Sequence, residues 1–379
     1  MSYALATLWY ERSRFLPGVL AVAFSALLIA LQSGLLLGLF SITSLPIDQT
    51  RADIWVGHTE VVSVDLGRPI PASWVSYLSM PEIDRTEMFM EGFCYWADRE
   101  GKAQLCIVLG SRLIGEPLGA LKVLTKRQRR LLTEKGAVIV DKSEFTRLGI
   151  KGVGDTAEVT GQRVRVVDAV EGIKSLAGPY IFCSLETARP LLRQSEDETT
   201  YILATCRNKA DAPKVVRRLR EKYGNPDSQY GNRISAFTAP EFSRQTQLHW
   251  LLTTKAGIAL GCAAALGLLV GAVVTSQTLY AATVASLREY AVLRALGIPR
   301  WRMAGAVLAQ SFWVGLAGLA LAIPSALGLM ELANALGTKV TLPVWLLALA
   351  SAVTMVMALL SGLFALRSLR HVEPVALLR

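Results

Sequence analysis

From Phe15 to Ile42 the chain runs 28 positions without a charged residue, and Ala256–Leu287, Met303–Met330 and Leu342–Leu366 are equally free of charge. A bilayer core about 30 Å thick is crossed by roughly 20 helical residues, so each run is long enough to span it. Inside lipid the backbone must satisfy its own hydrogen bonds, which makes each run a helix. The first run is much longer than the roughly 7–15 apolar residues of a cleaved signal segment, so it reads as a retained span.

The remainder of the chain is not membrane. With 52% hydrophobic and 18% charged residues among 379, the protein is too apolar for most soluble domains and too polar to lie wholly in lipid. From Leu45 to about Gln247 charges become common and Pro and Gly punctuate short runs. Strand patterns are expected over Asp53–Val64, Met88–Trp96, Ala103–Leu109, Ala137–Val140, Ala157–Thr160, Val164–Val170, Tyr180–Cys183, Tyr201–Cys206 and Ile234–Phe237. Helices are expected at Pro71–Leu78, Thr125–Glu134, Leu185–Leu192 and Ala212–Tyr223. The predicted fold class is therefore membrane α-helical, with four transmembrane helices and a large α+β extracytoplasmic domain inserted between the first and second.

Charge distribution sets the expected orientation. Arg12 and Arg14 precede the first span, Arg288, Arg294, Arg300 and Arg302 lie between the second and third, and Arg367, Arg370 and Arg379 follow the fourth. The positive-inside bias puts all three groups, and hence both termini, on the cytoplasmic side. The net charge of +10 has the same origin and does not call for nucleic acid. Lys126-Arg-Gln-Arg-Arg130, the most basic run of the large domain, lacks interleaved aromatics and reads as a solvated helix face. The expected division is 1–14 amphipathic helix on the inner surface, 15–42 first span, 45–247 extracytoplasmic domain, 248–287 stalk and second span, 288–302 cytoplasmic segment, 303–330 third span, 342–366 fourth span and 367–379 cytoplasmic tail. The stalk from Phe242 is expected to run without a break into the second span.

One charged stretch is hemmed in by membrane. Ser286–Met303 reads Ser-Leu-Arg-Glu-Tyr-Ala-Val-Leu-Arg-Ala-Leu-Gly-Ile-Pro-Arg-Trp-Arg-Met. Tyr290, Leu293 and Leu296 share a helical face while Arg288, Glu289 and Arg294 project around it, Gly297 ends the helix and Pro299 bars its continuation. A basic loop anchoring two helices would explain the charge alone. The order of residues adds more: it resembles the cytoplasmic coupling segment of the MacB/FtsX-type (type VII) ABC transporter permeases. The tail, with Pro374, Ala376, Leu377 and Arg379, is similar to that family's terminus. Gly136-Ala-Val-Ile-Val-Asp141, Phe145, Leu148-Gly149-Ile150 and Gly154-Asp155 look like its extracytoplasmic domain.

That resemblance implies a permease that transmits movement. Arg288, Glu289, Tyr290, Leu293, Arg294, Leu296, Gly297, Arg300 and Arg302 would dock on an ABC ATPase, with Pro374, Leu377 and Arg379 beside it. This chain has no G-x-x-x-x-G-K-[ST] motif, so ATP and Mg would sit on a partner ATPase and no cofactor on this chain. In the MacB branch the ATPase is fused ahead of the first span. Few residues precede Phe15 here, which implies a separate ATPase dimer, as in DevC-like permeases. A homodimer of this chain, a periplasmic membrane-fusion adaptor, an outer-membrane channel and export of an amphiphile or glycolipid follow from the same resemblance. An FtsX-like regulator of a cell-wall hydrolase and a lipoprotein-release permease are the alternatives, and a sensor without ATPase is a third.

Other motifs carry less. No nucleophile elbow, HExxH or acid/base pair occurs, the three His are scattered, and neither a catalytic centre nor a metal site is expected. Gly152-Val-Gly154-Asp-Thr-Ala157 matches a dinucleotide fingerprint, but a strand rather than a helix is expected to follow, which excludes the phosphate geometry. Cys94 and Cys106 would face each other in a hairpin over Met88–Leu109, permitting either a cross-strand disulfide at the roughly 4.5 Å spacing of a non-hydrogen-bonded pair or two small residues packed on a buried face. Gly257/Gly261 and Gly267/Gly271 repeat the GxxxG spacing and make the second span the expected dimer contact; Gly34/Gly38 does so in the first.

Overall fold

The computed structural model describes residues 12–98, 100–224, 233–285, 299–336 and 338–369. The chain forms two compact units, Leu39–Thr254 on one hand and Met1–Gly38 with Lys255–Arg379 on the other. Helix α1 spans Arg12–Thr43, and the short α2, Leu45–Gln49, follows at Ser44, whose hydroxyl bonds the Asp48 carboxylate at 2.6 Å.

In the Leu39–Thr254 unit the elements run β1 (Ile54–His58), β2 (Ile70–Pro71), β3 (Ile83–Ala97), β4 (Ala103–Ser111), α3 (Lys126–Leu131), β5 (Ala137–Asp141) and α4 (Phe145–Leu148). They continue with β6 (Thr156–Val159), β7 (Gln162–Val170), β8 (Tyr180–Ser184), α5 (Leu185–Leu192), β9 (Glu198–Thr199), β10 (Tyr201–Cys206), α6 (Ala212–Tyr223), β11 (Ile234–Thr238) and α7 (Ala239–Thr253). The strand after Gly152–Asp155 is β6, as the rejection of a nucleotide loop requires. Two expected elements differ. The run expected from Asp53 to Val64 stops at His58, because the chain reverses through Glu60 at φ 60° and then makes a 3-10 turn over Val64–Leu66. Ala72–Leu78 is also 3-10 rather than α-helical.

Nine strands form one sheet in the order β11-β1-β10-β3-β4-β8-β5-β7-β6, and β6 returns to pair with the far end of β3 through Trp96–Val159 and Ala97–Glu158. The ring β3-β4-β8-β5-β7-β6 therefore closes on itself, while β11, β1 and β10 extend from the other end of β3. Closure leaves β6 no free edge. Met90, Cys94, Trp96, Val108, Val138, Val140, Val166 and Ile181 pack into one core with Ala188 and Leu191 of α5. A second core holds Trp55, Phe89, Leu109, Tyr180, Tyr201 and Phe242; a third sets Val215, Val216, Leu219 and Tyr223 of α6 against β1, β10 and β11. Where both sheet faces are covered, as along β5, both sets of alternating side chains are buried, while β3 beyond Glu91 alternates, with Phe93 and Tyr95 exposed.

The other unit continues with α8 (Lys255–Ala285), α9 (Arg300–Ala335) and α10 (Val344–Leu369). With α1 they supply four segments, Phe15–Thr43, Lys255–Thr278, Ala304–Ala335 and Val344–Leu363, long and apolar enough to cross a membrane. Pro324 lies inside a continuous α9. After α9 the chain is exposed at Leu336 and Thr338 and then packs down: Asn334 holds Val340 through both side-chain amide atoms, at 2.9 and 3.2 Å, and Val340 and Leu342 are buried. Its seat is the GxxxG face of α1, where Thr341 N–H donates to Gly34 O at 3.2 Å and a Cβ on Gly38 would fall 2.0 Å from the Lys339 carbonyl oxygen. Backbone stands where the methyl would go. Gly38→Ala is expected to cost about 1–3 kcal/mol through forced displacement, read as a lower thermal midpoint of the detergent-solubilised chain, with Gly305→Ala, which meets open space, unchanged.

Candidate functional site

Most of the expected coupling segment, Arg288, Glu289, Tyr290, Leu293, Arg294, Leu296 and Gly297, lies outside the described residues, as do the tail residues Pro374, Leu377 and Arg379 and the amphipathic stretch up to Glu11. The described part is its far end. Pro299, at φ −66° and ψ 144°, precedes the first helical residue of α9 and its carbonyl accepts from Arg302 N–H at 3.1 Å. A proline suits this place because the first N–H groups of a helix have no intrahelical partner. Arg300 starts the helix. Arg302 is exposed and its guanidinium sits 5.2 Å from the centre of the Trp301 ring, itself 70% exposed. Trp301 was not among the expected site residues. An exposed indole with a cation over it is a ready-made contact for a partner surface or an interfacial lipid headgroup, and its flanking by two arginines was the signal available in the sequence.

The glycines expected to form the dimer contact divide. Gly267 and Gly271 face the chain's own α1: a Cβ on Gly267 would lie 3.1 Å from Gln32 Cγ, and one on Gly271 3.3 Å from Ser25 Cβ. Ser25 Oγ donates to the Gly271 carbonyl at 3.1 Å and accepts from Thr275 Oγ1 at 3.0 Å. The smooth face at these two positions is used within the protomer, because small residues let α1 and α8 approach closely. Gly257 is buried and Gly261 half-buried.

At the other end of the large domain, α7 is fixed by side chains on two of its faces. Phe242 is fully buried, stacked on Phe237 at 4.9 Å and 5.7 and 5.8 Å from the rings of Trp55 and Tyr201. Three residues hold the chain around Val61–Asp65: Gln245 Nε2 donates to Val61 O at 2.8 Å, Thr246 Oγ1 accepts from Val64 N–H at 3.2 Å, and Trp250 Nε1 donates to Asp65 Oδ1 at 3.2 Å. Gln247 Nε2 donates to Ser44 Oγ at 2.9 Å, and Arg220 of α6 pairs with Glu241 at 2.8 Å. The stalk is not one unbroken helix. Thr254 adopts extended backbone, φ −89° and ψ 143°, between the end of α7 and the start of α8. Its hydroxyl donates to Trp250 O at 2.6 Å.

Cys94 and Cys106 are directly opposite in the β3–β4 register, buried, with sulfurs 3.4 Å apart. Asp98 N–H bonds Lys102 O, and Ile107 N–H turns away to Pro179 O, so the alternation makes Cys94–Cys106 a hydrogen-bonded pair rather than the non-hydrogen-bonded one expected. The Cα separation typical of such a pair, about 5.5 Å, still lies within the disulfide range. The Cys106 thiol is pushed far up by its hydrogen bond to Cys94 and by burial, which keeps it a thiol in the reduced fold. Non-reducing peptide mapping of chain purified from an oxidising compartment is expected to join Cys94 to Cys106 and leave Cys183 and Cys206, both buried, as thiols. Among the described residues no group of three or more His, Cys, Asp or Glu converges as a metal site would require.

Residues 261–374 match the family model described as FtsX-like permease C-terminal. Among solved structures, the periplasmic region of MacB from Actinobacillus actinomycetemcomitans is 13% identical, covering 55% of this chain and 97% of that one with a TM-score of 0.34. The extracellular domain of YknZ, a noncanonic ABC-type transporter from Gram-positive bacteria, is 10% identical, covering 49% and 99% with a TM-score of 0.33. No curated protein matches the sequence.

Proposed function

We propose that this chain, an ABC-type permease of the MacB/FtsX family, is the transmembrane subunit through which a separate cytoplasmic ATPase moves the large outer domain. The observation that carries the reading is the FtsX-like match over residues 261–374, a stretch that contains the whole charged segment between the second and third spans. In this reading two copies of the chain pair, Arg288, Glu289, Arg294 and their neighbours dock on the ATPase dimer, and ATP-driven closure is passed along α8 and α7 to the large domain. Substrate does not pass between the helices. The absence of charged residues over Phe15–Ile42, Ala256–Leu287, Met303–Met330 and Leu342–Leu366 supports this, since a hydrophilic pathway through a bilayer normally exposes such residues.

Both termini are cytoplasmic and the large domain periplasmic, in keeping with the basic flanks. The domain works with a membrane-fusion adaptor and an outer-membrane channel to export an amphiphile or glycolipid. The test is purification of the intact chain in mild detergent followed by mass spectrometry. An ABC ATPase recovered with an adaptor supports export; the same ATPase recovered with a peptidoglycan hydrolase would transfer the chain to the FtsX-like regulators. Absence of any ATPase would overturn both.

A further inference from the structure

Glu91 is a carboxyl in the wrong place for an ordinary strand. It lies on β3 between residues that line opposite cores, and the two-residue period puts it on the face of Phe89, towards Leu109, Tyr180 and Tyr201. It is 1% exposed, and neither carboxyl oxygen has a hydrogen-bond partner among the described residues. Its backbone is tightly held: Glu91 N–H donates to Thr200 Oγ1 at 3.2 Å and Thr200 Oγ1 donates to Glu91 O at 3.1 Å. The side chain is therefore fixed in an apolar core with nothing to balance a charge.

The one charged group acting on Glu91 makes ionisation harder still: it is Asp65, on the 3-10 turn over Val64–Leu66, and no cation among the described residues offsets it. Tyr180 of β8 and Tyr201 of β10 share the same core and are themselves pushed up, by burial first and Glu91 next. Burial first, and the Asp65 charge second, hold the Glu91 carboxyl well above the usual carboxylate range. An unpaired buried carboxylate is so costly that the group keeps its proton instead. The turn carrying Asp65 closes over this region, with Tyr201 Oη donating to Val64 O at 2.6 Å. Asp65 in turn accepts from Ser63 Oγ and from Trp250 Nε1 of α7.

We propose that Glu91 is a proton-controlled positioning residue for α7: protonated, it lets the Ser63–Leu66 turn and Trp250 close over β3, and ionised, it drives Asp65 away and loosens the hold on α7. The proton goes to bulk water during a local opening. A carboxyl raised in the folded state contributes stability that is complete below its unfolded value, 4.5, and is lost as pH rises through its folded value. Closure is therefore favoured at low pH and weakened towards alkaline pH.

The test is hydrogen exchange on the full chain in nanodiscs, following peptides over residues 61–67 and 245–253 from pH 5 to 9, with rates corrected for intrinsic chemistry. In the wild type the opening equilibrium of these peptides is expected to rise with pH, by at most about tenfold per unit, and to level off once the folded value of Glu91 is passed, while α6 stays constant. Glu91→Gln, which mimics the neutral acid, is expected to abolish that dependence. If the peptides show no pH response in the wild type, or the same response in Glu91→Gln, the proposal is wrong. Should Glu91→Gln not fold, Asp65→Asn decides. Removing the neighbouring charge eases ionisation, so the transition must move to lower pH, and an unmoved midpoint overturns the assignment.

Discussion

Glu289→Ala with Arg294→Ala is expected to reduce recovery of the partner ATPase from detergent extracts by about 100-fold or more, leaving the membrane unit folded. By sequence both residues lie between the second and third spans, where helical spacing predicts that they project away from the Tyr290, Leu293 and Leu296 face, and lipid anchoring alone gives no reason for a Glu beside an Arg. Truncating one member of a desolvated interfacial charge pair costs about 2–5 kcal/mol. Two such losses, even partly redundant, exceed the roughly 2.7 kcal/mol that a 100-fold change represents. A double variant that keeps its thermal midpoint and loses the ATPase is the expected result. Retention of the ATPase at wild-type level would mean that the segment only anchors two helices to anionic lipid, and the coupling assignment would fall.

The second large effect is expected in the large domain. Phe242→Ala removes a fully buried ring that stacks on Phe237 and touches Trp55 and Tyr201. Phenylalanine-to-alanine changes in such sites cost about 3–5 kcal/mol, because the cavity left behind is closed only in part. For a domain of this size that is a fall of roughly 6–20 °C in the unfolding midpoint of the large domain. Scanning calorimetry of the full chain reads it directly. The mutation also cuts the aromatic hold on α7 while the contacts of Gln245, Thr246 and Trp250 remain, so proteolysis near Thr254 should quicken before the domain melts. A midpoint within about 1 °C of wild type would show that the cluster closes up around the loss and that α7 is held by its polar contacts alone.

What could be read from the sequence was whatever depends on local composition. The four spans were legible because absence of charge over 20 or more positions has one physical meaning. The positions of α5, α6 and most strands followed from periodicity. What could not be read were pairings set by distant residues. Nothing local to Ala157 shows that β6 returns to Trp96, and the extra length of β3 before the expected Met88–Trp96 run is stabilised by a distant partner, β10, which pairs with Ile83 and Arg85–Glu87. Glu91 fell inside a correctly placed strand, where alternation assigns a carboxylate to solvent; only a second core on that face buries it. The break at Thr254 lacks a glycine or proline to announce it. The coupling residues were identified by resemblance, and only Arg300 and Arg302 among them fall in the described structure.

The sheet order has a consequence for how the protein comes into being. β1 is flanked by β10 and β11, Ile54 pairing with Ala204 on one side and Thr238 on the other, so the first strand made has no neighbour until nearly the whole domain has followed it. At ribosomal rates of about 5–20 residues per second, that is a delay of roughly 10–40 s. During this interval Ile54, Trp55 and Val56 are an apolar segment next to a newly inserted first helix. They lack the strands that bury them until β10 and then β11 follow. Newly made chains stalled before Ile234 should therefore be protease-sensitive around Ile54–Val56, and those released past Thr253 should become resistant there.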